Sequence, residues 1–112
     1  MDNLYYFNDT FKMHYYFADT EKKMKKINKH FKSKIDVSEV NGKFIALKLS
    51  NGQIVSIIFA RDKRGEILAH ECVHASFFLM ETIGQEVKDD EVMPHIVEEI
   101  YRAFIDTLEK SI

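Results

Sequence analysis

The chain has 112 residues, 46% of them apolar and 30% charged, a composition that excludes disorder and points to one domain over residues 1–112. The formal net charge of −2 excludes a molecule that draws in nucleic acid through its charge as a whole. The single cysteine, Cys72, excludes an internal disulfide, and no run approaches the ~18 apolar residues of a membrane span, so no membrane partner is expected. Asp2, Asn3, Asn8 and Asp9 interrupt the aromatic start, which does not read as a signal peptide. The expected location is therefore cytoplasmic.

Phe11–Ala18 is rich in aromatics between polar residues and predicts a strand. Asp19 and Thr20 offer caps for a following helix, with Glu21 favourably placed in its first turn. Met24, Ile27 and Phe31 form its apolar stripe as far as about Ser33. Seven lysines crowd residues 22–34 (Lys22, Lys23, Lys25, Lys26, Lys29, Lys32, Lys34) and fill the other faces. No arginine or aromatic is interleaved for base stacking, so the expected role is a solvated face and nucleic acid is not the expected partner. The aromatics Tyr5, Tyr6, Phe7, Tyr15, Tyr16 and Phe17 are read as strand and edge packing rather than a partner surface.

Asn41-Gly42 and Asn51-Gly52 are turn signals. Lys43–Ser50 and Gln53–Ala60 are read as a hairpin around Asn51-Gly52. Ile45, Leu47 and Leu49 alternate as a half-buried strand should. Arg61–Gly65 is a charged loop. A helix over Glu66–Ile83, closed by Gly84, follows. Apolar on nearly every face, it is expected to be buried. Asp89 and Asp90 offer caps for a last helix, with Pro94 in its first turn and Met93, Val97, Ile100, Phe104 and Leu108 as its stripe. The order strand, helix, hairpin, helix, helix, with a right-handed crossover, predicts an α+β domain: a three-stranded sheet covered by helices, with the first strand parallel to one hairpin strand.

Within the Glu66–Ile83 helix lies His70-Glu71-Cys72-Val73-His74, an H-E-x-x-H motif. Four residues apart is one helical face, so both imidazoles can reach one metal ion at about 2.0–2.1 Å. Glu71 is rotated about 100° from His70, beside a metal-bound water rather than on the metal, where it suits a general base. Two histidines and a glutamate at this spacing arise by chance in well under ~1% of chains this short. Surrounded by apolar side chains, the three would otherwise be costly buried polar groups. Zinc, one per chain, is the expected ion, although imidazole and carboxylate also suit iron, nickel and copper.

A catalytic zinc needs a third protein ligand. Cys72 lies two residues from either histidine and points off their face. Glu91, 17 residues after His74 at the start of the last helix, is the favoured candidate. Its bland alternative is a helix-start carboxylate favoured by the dipole. His95, one turn later, can hydrogen-bond Glu91, replace it as ligand, or act catalytically by donating to a developing oxyanion.

The stretch from Leu68 to Ala75, the helix ending at Gly84, and Asp90-Glu91 opening another helix together resemble a family of small phage-encoded, zincin-like metallopeptidase-like proteins. The resemblance extends over most of the chain, and residues 67–101 are its specific part. It implies a minimal zincin-like domain, a metal set of His70, His74 and Glu91, and Glu71 as base. The family tends to have Ala-Tyr where this chain has Pro94-His95, a departure in the outer shell of the site. A phage origin would place the protein in the host cytoplasm.

Two functions follow as expectations. One is a zinc-dependent peptidase using metal-bound water with Glu71 as general base, in which Ile54–Phe59, if its edge is free, pairs with an extended peptide. The other is a binding or inhibitor protein directed at a host protein, which keeps the fold and metal without catalysis.

Overall fold

A computed structural model describes residues 1–84 and 92–110. Four strands form one mixed sheet. A short helical turn over Asp2–Leu4 buries Leu4 and leads into β1 (Tyr5–Asn8), antiparallel to β2 (Met13–Ala18). Helix α1 (Glu21–Phe31) and the segment after it cross to β3 (Gly42–Lys48), which pairs antiparallel with β4 (Ile54–Ala60). β2 and β4 are parallel neighbours, as the crossover predicted, and the order is β1-β2-β4-β3.

Two expectations are corrected. The sheet has four strands rather than three, because Tyr5–Asn8 pairs with β2 through a turn that carries no glycine or proline. That turn is closed instead by Asn8, whose Oδ1 accepts from the Phe11 N–H at 2.9 Å, and by Lys12 at φ 56°. The strand Ile54–Phe59 has no free edge, since β4 is hydrogen-bonded on both sides. Among the described residues, the free edge on that side belongs to β3.

Strand register sorts the side chains onto two faces. Tyr15 and Phe17 of β2, Ser56 and Ile58 of β4, and Phe44 of β3 face α2 (Gly65–Ile83) and α3 (Val92–Glu109). Phe17 meets Phe104 at 5.2 Å between ring centres, and Phe44 meets Phe78 at 5.7 Å. The opposite face carries Tyr16, Val55, Ile57 and Ile45 and is covered by α1, whose Met24 and Ile27 are buried. Thr20 caps α1 by accepting the Lys23 N–H at 3.2 Å. Lys32 ends the helix in the left-handed conformation. Asn28 then holds the departing chain, donating to the Ile35 carbonyl and accepting from the Ile35 N–H. Arg61 clasps the rest of that segment, donating to the carbonyls of Val37 at 2.7 Å and Val40 at 3.0 Å while its guanidinium lies over Phe59.

Helix α2 matches its expected span, and Gly84 closes it at φ 74°. It is not buried all round. The sheet and α3 cover Leu68, Cys72, Ala75, Leu79 and Met80, while His70, His74 and Phe77 are exposed. A helix packed against one sheet and one neighbouring helix keeps an open flank, whatever its composition. On α3 the buried line is Ile96, Ile100, Ala103, Phe104 and Leu108, with Met93 and Val97 at its margin. The expected caps Asp89 and Asp90 lie outside the described residues. Among the described residues, no helix is long and apolar enough to cross a membrane.

The sheet–helix interface also holds protons. Glu99 of α3 accepts from Asn8 at 2.8 Å and from the Tyr6 hydroxyl at 3.0 Å. Burial and then this carboxylate push the Tyr6 phenol up from 10.0 to about 12. Burial, and then Glu71, push the Cys72 thiol up from 9.0 to about 12, and burial likewise raises Tyr15. Above pH about 9 the unfolded chain releases protons that the folded chain keeps. Stability is therefore fully present below that pH and falls as pH rises towards about 12. Urea midpoints measured from pH 8 to 11 should decline, and Tyr6→Phe and Cys72→Ala should each flatten the decline. A flat wild-type profile would contradict the assignment.

Candidate metal centre

The chain reverses between β4 and α2 through two successive left-handed residues, Asp62 and Lys63, at φ 57° and 55°. This sharp turn lays α2 back under β3 and β4, from which it just emerged, and fixes which of its residues face outward. His70 and His74, one turn apart, both fall on the open flank. Their Nε2 atoms stand 3.0 Å apart and their rings meet edge to face at 82°.

The donor geometry fits a divalent ion. Two bonds of about 2.0–2.1 Å at a tetrahedral angle hold their nitrogens about 3.3 Å apart, so a few tenths of an ångström of opening separates the hydrogen-bonded pair from a chelating pair. The expectation that both imidazoles are buried among apolar side chains is corrected: they are exposed. The cost of burial is therefore no argument for a ligand there, and the convergence of the nitrogens carries the case instead.

Glu71 behaves differently. It is only 8% exposed and turns from the open flank into the seam between α2 and β3. A Cβ placed on Gly42 would stand 2.9 Å from Glu71 Oε2 and 2.5 Å from Ile67 Cγ2. Gly42 thus admits both side chains against the start of the edge strand. Its role is close approach rather than the turn that Asn41-Gly42 suggested, and a glycine opening a strand is a known signal of that kind. Among the described residues, the Glu71 carboxylate has no hydrogen-bond partner. Its oxygens still reach solvent: the buried side-chain polar atoms left without a partner among the described residues are the Tyr15 hydroxyl and Ser56 Oγ.

The third ligand expected at Glu91 lies outside the described residues. His95 is exposed near the start of α3. No three His, Cys, Asp or Glu side chains among the described residues converge on one point, so His95 is not brought to the pair. Cys72 is buried in the core. Comparison with known proteins returns no match, whether to a family model, to a curated protein or to a solved structure.

Proposed function

We propose that the chain is a zinc-dependent hydrolase of peptide bonds, built as a minimal zincin-like domain. The observation that carries this reading is the 3.0 Å approach of His70 Nε2 and His74 Nε2 on a solvent-open flank of α2. Two preset imidazoles hold a divalent ion, with Glu91 as the third protein ligand. When bound, the ion supplies Lewis acidity and makes water a stronger acid. Glu71, next to His70 in sequence, takes the proton from the attacking water and returns it to the leaving amine. The free edge of β3 begins at Gly42, against which Glu71 packs, and it offers backbone groups to an extended peptide.

A second reading is favoured by the same glutamate. Its carboxylate sits in the α2–β3 seam rather than on the open flank, as suits a binding protein that keeps the metal site without turnover. Hydrolysis of a broad quenched-peptide library by zinc-loaded wild type and Glu71→Gln separates the two. Both proteins should retain about one zinc. The hydrolase reading expects the variant to lose about 10²–10⁴-fold in rate, the span of a general base. Loaded protein that cleaves nothing in the library would leave the binding-protein reading in its place.

A further inference from the structure

On the α1 side of the sheet, away from α2, five rings form an unbroken row. Phe7 meets His14 at 4.8 Å between ring centres, and His14 meets Tyr5 at 5.8 Å. Tyr5 meets Tyr16 at 5.0 Å, and Tyr16 meets His30 at 5.8 Å. None of the five is fully buried, and Phe7 is 37% exposed. Helix α1 covers β2 but leaves the outer part of β1 open, so the row runs from the sheet's edge to the helix flank. The Tyr5 hydroxyl and His14 Nδ1 share a hydrogen bond at 2.5 Å, which fixes two rings of the row.

Lysine side chains stand at both ends, the one beside Phe7 paired with a carboxylate. Lys12, shared with Asp9 at 2.8 Å, places its ammonium 5.9 Å from the centre of the Phe7 ring. At the other end, Lys26 sits one turn before His30 on the same flank of α1, within a segment, residues 22–34, that holds seven lysines and no acid. The lysine helix itself carries two rings, His30 and Phe31, and Phe31 packs edge-on against Tyr16 at 4.8 Å. The β1–β2 hairpin supplies the other four rings of the row from the neighbouring surface.

We propose that this shelf binds single-stranded nucleic acid, with unpaired bases stacking on the Phe7–His14–Tyr5–Tyr16–His30 row and the backbone phosphates held by Lys12 and the lysines of α1. Rings in contact on a sheet, bordered by ammonium groups, match what an unpaired strand presents: flat bases and regularly spaced negative charge. A duplex hides its base faces, and an acidic peptide has no use for a row of rings. The shelf lies on the opposite face from the candidate metal centre and does not depend on it.

The test is fluorescence anisotropy with labelled 12-mers of oligothymidylate and oligouridylate on the full chain. With no tryptophan in the sequence, quenching of tyrosine emission gives a second readout. Binding is expected at 50 mM salt and should weaken steeply by 200 mM. Phe7→Ala, at an exposed position, should keep the circular dichroism of wild type and weaken binding about tenfold, the scale of one lost stacking partner. His14→Ala should also weaken binding. Lys26→Glu should weaken it and reduce the salt slope. Four results would each overturn the proposal: no binding at 50 mM salt; affinity unchanged in both Phe7→Ala and His14→Ala; equal competition by duplex DNA or polyglutamate; or binding to anionic phospholipid vesicles but to neither oligonucleotide.

Discussion

His74→Ala is expected to abolish zinc binding while leaving the metal-free fold as stable as wild type. His74 is exposed, and its ring contacts His70, so its removal opens no cavity. Substitutions at such surface positions fall within about 0.5 kcal/mol. Zinc at a hundredfold excess over its Kd stabilises the folded chain by about 2.7 kcal/mol, which raises Tm by about 10 °C for a domain of this size. That rise should appear in wild type and vanish in His74→Ala and His70→Ala, with elemental analysis falling from about one zinc per chain to none. Lowering the pH should shrink the rise, because protons compete with the ion for the imidazoles. Glu91→Ala then tests Glu91 as the third ligand, with His95→Ala measured beside it for a role in the outer shell. The residue in the outer shell should cost about 10–100-fold in affinity, and the ligand itself more. Retention of one zinc by both histidine variants would place the ion elsewhere and remove the basis for hydrolysis.

The parts of the fold legible in the sequence are those that local chemistry specifies. Alternation and Asn51-Gly52 mark the β3–β4 hairpin, Thr20 and Gly84 bound their helices, and the crossover rule gives the parallel pairing of β2 with β4. The illegible parts are decided at a distance. β1 has only four residues and becomes a strand by pairing with β2, so no pattern of its own announces it. Strand order puts β4 in the interior and leaves β3 at the edge, and the only trace of that choice in the sequence is the near-continuous apolar run of Ile54–Phe59 beside the alternation of β3. The same limit applies to the site. His70 and His74 were legible as a pair because four residues is one helical turn. Which flank of α2 stays open depends on where the sheet and α3 settle. Composition alone put the imidazoles inside, whereas packing turns them out and turns Glu71 in.

Gly42→Ala is expected to destabilise the protein and to uncouple Glu71 from the metal site. The new Cβ would lie 2.5 Å from Ile67 Cγ2 and 2.9 Å from Glu71 Oε2, closer than packed carbon and oxygen atoms tolerate. Ile67 is β-branched with few rotamers to yield into, so Glu71 moves first. Overpacking of this kind costs about 1–3 kcal/mol, offset in part by the lower entropy of the unfolded chain without glycine. Ile67, His70, Glu71 and His74 lie along one side of α2 with the imidazoles turned outward, so hydrolysis by Gly42→Ala is compared with wild type at equal zinc content. Peptide hydrolysis, if Glu71 is its base, should fall nonetheless. Ile67→Ala removes the nearer of the two obstructions. The double variant Gly42→Ala/Ile67→Ala should therefore be more stable than the sum of the single costs predicts, with a coupling of about 0.5–3 kcal/mol between residues in contact. Strict additivity would mean that the seam between α2 and β3 adjusts freely, and that Gly42 does not hold the glutamate in place.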